Sequence, residues 1–66
     1  MTTAEQIMRD YKDDLITMMI ESQDVALRST KYIYNDKRFE IVYVFNDASV
    51  IEFSCVDNVV KEARLI

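Results

Sequence analysis

The stretch Phe39-Glu40-Ile41-Val42-Tyr43-Val44-Phe45 constrains this chain more than any other. Its odd positions are large and apolar, and β-branched or aromatic types dominate. That period of two marks a strand with one buried face. Asn46-Asp47-Ala48 follows as a turn cluster, and Ser49 to Val56 alternates again. Ile51, Phe53 and Cys55 take one face of this second strand, and Glu52 and Ser54 take the other. A three-residue loop at Asn46–Ala48 sets Tyr43 opposite Ile51, Ile41 opposite Phe53 and Phe39 opposite Cys55. All the bulk then lies on one face. Val42, Val44 and Val50 are left on the other, among Glu40 and Glu52.

A sheet with one apolar face needs a cover, and the N-terminal third supplies it. Ala4, Ile7, Met8, Tyr11, Leu15, Met18 and Met19 recur at helical spacing and form one stripe. Thr2 with Glu5 fits a capping box, and Thr3 with Gln6 repeats it one residue on. The pattern predicts a single helix over about residues 3–23. Its length is about 32 Å at 1.5 Å per residue. Ser22-Gln23-Asp24 is the expected break, although nothing marks it sharply.

The rest of the chain completes a meander. Residues 29–34 include Tyr32-Ile33-Tyr34, which reads as a strand. Asn35-Asp36-Lys37-Arg38 reads as a turn. The tail, residues 59–66, is open between a fourth strand behind a two-residue Asp57-Asn58 loop and a short helix capped by Asp57. The expected architecture is α+β. One long N-terminal helix packs on an antiparallel meander of three to four strands, as a single domain over 1–66. Tyr11, Leu15 and Met18 are expected to meet Phe39, Ile41, Tyr43, Ile51 and Phe53.

Composition excludes most chemistry. The 66 residues include no Gly, Pro, His or Trp and one Cys. Average usage of about 7% Gly and 5% Pro would give roughly eight of the two together. Without Gly there is no phosphate-cradling loop and no dinucleotide fingerprint. Without His there is no zinc finger, no thiol–imidazole dyad and no triad with a histidine base. Catalytic residues, metal ligands and cofactors are all expected to be none. Cys55 falls on the apolar side of its strand and reads as a small core hydrophobe. Asp10, Asp13 and Asp14 read as a solvated helix flank rather than a pKa-split catalytic pair.

Charge runs acidic, basic, acidic along the chain, for a net −4. Asp10, Asp14, Glu21 and Asp24 form a row down the expected helix, a candidate docking surface for basic proteins. Tyr32, Tyr34, Lys37 and Arg38, with Lys31, form an aromatic-basic cluster at the first hairpin. Such clusters contact proteins, and they also stack single-stranded nucleic acid. The acidic balance weighs against nucleic acid as partner.

The expected function is that of a small acidic module that binds a host or cognate protein without catalysis. An inhibitor of the kind phages and mobile elements encode would act this way. Nucleotide or nucleic-acid binding through residues 31–38 is the alternative. A chain this short buries only about 60% of its unfolded surface, so a second subunit is expected to assist it. Ile16, Ile20, Val42 and Val44 lie on faces left over by the core and mark the expected homodimer interface. No run approaches a membrane span, no signal peptide is expected, and the lone Cys suits a reducing cytoplasm.

Overall fold

A computed structural model describes residues 1–66. The element order is α1 (Thr3–Asp10), α2 (Leu15–Val25), β1 (Arg28–Ile33), β2 (Arg38–Val44), β3 (Val50–Val56) and β4 (Val59–Leu65). The four strands form one antiparallel sheet in the order β1-β2-β3-β4. The α+β class and the meander follow the sequence pattern. The single long helix does not form.

The capping box is present. Thr2 Oγ1 accepts from the Glu5 N–H at 3.2 Å, and Glu5 Oε1 accepts from the Thr2 N–H at 2.9 Å. α1 then stops at Asp10, and the chain turns through Tyr11–Asp14. Asp14 becomes the cap of a new helix. Its Oδ1 accepts from the Thr17 N–H at 3.0 Å, and its Oδ2 from the Thr17 hydroxyl at 2.6 Å. Asp competes with helical hydrogen bonding in just this way. Geometry favours the break too. Strands of seven residues span about 23 Å, so an unbroken rod of about 32 Å would overhang the sheet. Folding α2 back keeps both helices over the core, and Thr3 and Val25 come to line one groove between them.

α2 runs on to Val25, past the expected stop. Ala26 leaves the helix in an extended conformation, with its N–H still bonded to the Ser22 carbonyl at 2.9 Å. Ser22 is the one buried polar residue, and its hydroxyl donates to the Met18 carbonyl at 2.7 Å.

The β2–β3 register is the one read from alternation, with Tyr43 opposite Ile51, Ile41 opposite Phe53 and Phe39 opposite Cys55. The Phe45 N–H bonds the Ser49 carbonyl at 2.9 Å and closes a three-residue loop. Ala48 sits there in the left-handed region at φ 69°. Asp57 (φ 53°) and Asn58 (φ 64°) make a two-residue hairpin turn. The tail is therefore a strand. A strand here would be expected to carry Lys61, Ala63 and Leu65 on one side. Ala63 pairs with Phe53 and Leu65 with Ile51, but a bulge at Ser54/Cys55 sets Val60 opposite Cys55 and leaves Lys61 unpaired.

The core comprises Ala4, Ile7, Met18, Tyr43, Phe45, Ile51 and Phe53. Tyr43 and Phe53 meet edge-to-face, with ring centroids 5.7 Å apart. Met8, Tyr11, Leu15, Met19 and Ile41 pack against this cluster half-buried. Phe39 is the exception to the expected core. The helix backbones come closest to β4 while their side chains cover the centre of the sheet, and every residue of β1 stays exposed. Phe39, next to β1, is left half-covered.

Candidate functional site

The break between the helices divides the acidic row. Asp10 ends α1, and its Oδ1 accepts from Gln6 Nε2 at 3.0 Å. Asp14 is spent on its cap, and the Thr17 hydrogen bonds hold its carboxyl below the usual range. Glu21 is half-buried and lines the groove between α1 and α2 with Asp10 and Tyr11. Asp24 is exposed in the last turn of α2. The expected continuous stripe of four carboxylates does not exist, because the rod that would carry it is two elements.

The hairpin cluster divides as well, by the parity of the strand. Lys31 pairs with Ile41 and so lies on the helix-bearing face, where its Nζ sits 4.3 Å from the centroid of the Phe39 ring. Tyr32 pairs with Glu40 on the opposite, outer face and is exposed. Tyr34 shares that face. Its hydroxyl donates to Glu40 Oε1, and the Arg38 guanidinium lies 5.3 Å from its ring centroid. Glu40 Oε2 also accepts from the Ser54 hydroxyl at 3.3 Å. The Tyr34 hydrogen bond lowers the Glu40 carboxyl and raises the Tyr34 phenol. Lys37 stands in the turn, where Asn35 Oδ1 accepts from the Lys37 and Arg38 N–H groups at 2.8 and 2.9 Å.

The expected dimer residues fall on two sides of the molecule. Ile16 and Ile20 are 63% and 56% exposed on the solvent side of α2. Val42 and Val44 are half-buried on the outer face of the sheet, turned away from the helices. One flat interface cannot take all four.

Two features of the surface escaped the sequence pattern. Leu27 and Ile33, 66% and 70% exposed, flank β1. Ile33 alternates as a core residue should, paired with Phe39. Only the placement of the helices leaves it bare. Arg64 Nε meets Glu52 Oε1 at 2.7 Å across β3–β4. The bulge at Ser54/Cys55 creates that pair, since the unbroken register of a two-residue turn would set Glu52 opposite Ala63.

Cys55 is buried, and burial pushes its thiol up, away from the reactive thiolate. No cluster of three His, Cys, Asp or Glu side chains is placed to hold a metal ion. No helix is long and apolar enough to cross a membrane. No family model, curated protein or solved structure matches this chain.

Proposed function

We propose that this chain is a small, non-catalytic protein-binding module that occupies the surface of a host or cognate protein, as an inhibitor does. The observation that carries this reading is the bare β1–β2 hairpin. Tyr32 and Tyr34 are 51% and 58% exposed there, with Lys37 and Arg38 exposed beside them. Tyr and Arg are the side chains that anchor protein interfaces most often. Nucleic-acid binding by the same hairpin finds less support. Arg38 is stacked on Tyr34, whose hydroxyl is bound to Glu40, so a carboxylate stands where a phosphate would approach.

Affinity capture from the source cells tests the reading, with the chain compared to its Lys37→Glu/Arg38→Glu variant. Both side chains are exposed, so circular dichroism should show the fold retained although Arg38→Glu gives up the stack on Tyr34. A protein captured by the native hairpin and lost by the variant supports the proposal. Equal capture by both overturns the hairpin as the site. Oligonucleotide binding at low salt, weakening steeply as salt rises, would move the function to the nucleic-acid alternative.

A further inference from the structure

β1 is covered on neither face and unpaired along one edge. All six of its residues are exposed, whereas every other strand holds partly buried ones. The Tyr34 N–H bonds the Arg38 carbonyl at 3.0 Å, which assigns the even residues of β1 to bonding with β2. The N–H and C=O groups of Ser29, Lys31 and Ile33 therefore point outward. Such an edge is a template for another strand. The opposite edge is guarded. β4 carries a bulge at Lys61, and Val60 and Ala63 on its inner face pack against the core.

We infer that β1 pairs antiparallel with β1 of a second copy about a two-fold axis at Thr30, joining the two sheets into one. From Ser29 to Ile33 the outward groups are on odd residues in both copies, so the paired residue numbers must sum to an even value. Leu27 lies outside this ladder, with its N–H bonded to the Val44 carbonyl at 2.8 Å, and contributes its side chain alone. Charge and apolar pairing together select among these registers, since sums of 58 and 64 set Lys31 against Leu27 or Ile33. A sum of 62 sets Lys31 directly against Lys31 of the other copy. A sum of 60 sets Lys31 against Ser29, Thr30 against Thr30, Arg28 against Tyr32 and Leu27 against Ile33. The exposed Leu27 and Ile33 cover each other, and Arg28 gains an aromatic neighbour. Arg28 makes no ion pair in its own chain. In this register it extends an outer-face row in which Tyr32 is followed by Glu40, so its charge meets an acidic surface. Lys on a strand edge deters pairing in general. Here Lys31 lies against Phe39 and excludes only the register that would oppose it to itself. The interface takes Tyr32 but leaves residues 34–38 free, so Lys37→Glu/Arg38→Glu tests the hairpin's partner and Thr30→Cys tests the pairing of β1.

Site-specific cross-linking tests it. The Thr30–Thr30 pair is non-hydrogen-bonded, with Cα atoms about 4.5 Å apart, within the about 4.4–6.8 Å a disulfide spans. Thr30→Cys should oxidise to a covalent dimer, while the unmodified chain, with Cys55 buried, stays monomeric on a non-reducing gel. Tyr32→Cys should not cross-link. Failure at position 30, or equal cross-linking at 32, overturns the inference. Sedimentation equilibrium of the unmodified chain should show its mass moving toward the dimer as concentration rises, and a monomer throughout overturns it. Ser29→Pro removes an outward N–H and no internal bond, so it should hold the chain monomeric. A dimer undiminished by that change also overturns the inference.

Discussion

Asp47 ties the two ends of the core together. Its Oδ2 accepts from the Thr3 N–H at 2.7 Å, while its Oδ1 accepts from the hydroxyl and N–H of Ser49. Ser49 Oγ in turn accepts from the Ala4 N–H at 3.1 Å. Two free donors of the first turn of α1 are thus satisfied from the β2–β3 loop. The Ser49 hydroxyl first, and the Thr3 N–H next, hold the Asp47 carboxyl far below its ordinary 3.8. A carboxyl depressed in the folded state adds stability that is full above its unfolded pKa and lost as pH falls through the folded one. Glu5 and Asp14 are shifted the same way. Stability should therefore fall as pH drops below about 4. Asp47→Asn should be less stable at neutral pH and show a shallower acid loss, as urea midpoints at both ends of the range would record. Ala48 next door, at φ 69°, occupies backbone that suits Gly. The left-handed conformation costs a non-Gly residue about 1–2 kcal/mol, and Gly gives back about 0.4–1 kcal/mol through its freer unfolded state. Ala48→Gly should raise stability by the difference, roughly 0.5–1 kcal/mol, in urea denaturation. In a chain without Gly, Ala48, Asp57 and Asn58 all take this backbone. Asp57 and Asn58 are residue types that take it readily; Ala48, although part of a turn legible in the sequence, is not. By contrast Phe53, fully buried under the helices, should cost about 3–5 kcal/mol when cut to Ala.

At the scale of elements, the hairpin of β2 and β3 could be read to the residue. Its alternation is strict, and a slip of one position would turn Ile51 and Phe53 to solvent. The helical region was legible only as a stripe. Ala4, Ile7, Tyr11, Leu15 and Met18 keep their spacing across the turn, so the pattern continues where the helix does not. The break rests on Asp14, a residue the stripe sets on the polar flank. Asp14→Ala should therefore lower the melting temperature by several degrees, and Asp14→Ser, which still caps, should lose little of it. Circular dichroism melts distinguish this from a merely solubilising acid, for which both changes would be silent. The same break accounts for the fate of the candidate site. Carboxylates spaced for one rod end up as a cap (Asp14), two groove residues (Asp10 and Glu21) and a surface group (Asp24). The tail became decidable only through the left-handed pair Asp57 and Asn58, since Lys-Glu-Ala-Arg favours helix by propensity.

For the whole molecule, the decisive asymmetry is the helix layer, placed over β4 and away from β1. Alternation shows which face of a strand is apolar. It does not show how far two short helices reach across a sheet. Phe39 reads as core on that ground and is half-covered, and Ile33, beside it on the same face, is bare. A chain of 66 residues that leaves a strand uncovered forgoes burial it can ill spare. Pairing β1 with a second copy recovers part of that area, and the gain is readable as mass action. Once the native state is dimeric, each tenfold rise in protein concentration adds about 0.7 kcal/mol per chain. That corresponds to about 3–5 °C in melting temperature for a domain of this size. The unmodified chain should show this dependence across a concentration series. Ser29→Pro should melt at a temperature independent of concentration, near the dilute limit of the unmodified chain, because its outward edge lacks the N–H that the second copy requires. Parallel concentration dependence in both would place self-association on another surface, with the solvent side of α2 at Ile16 and Ile20 next to be tested.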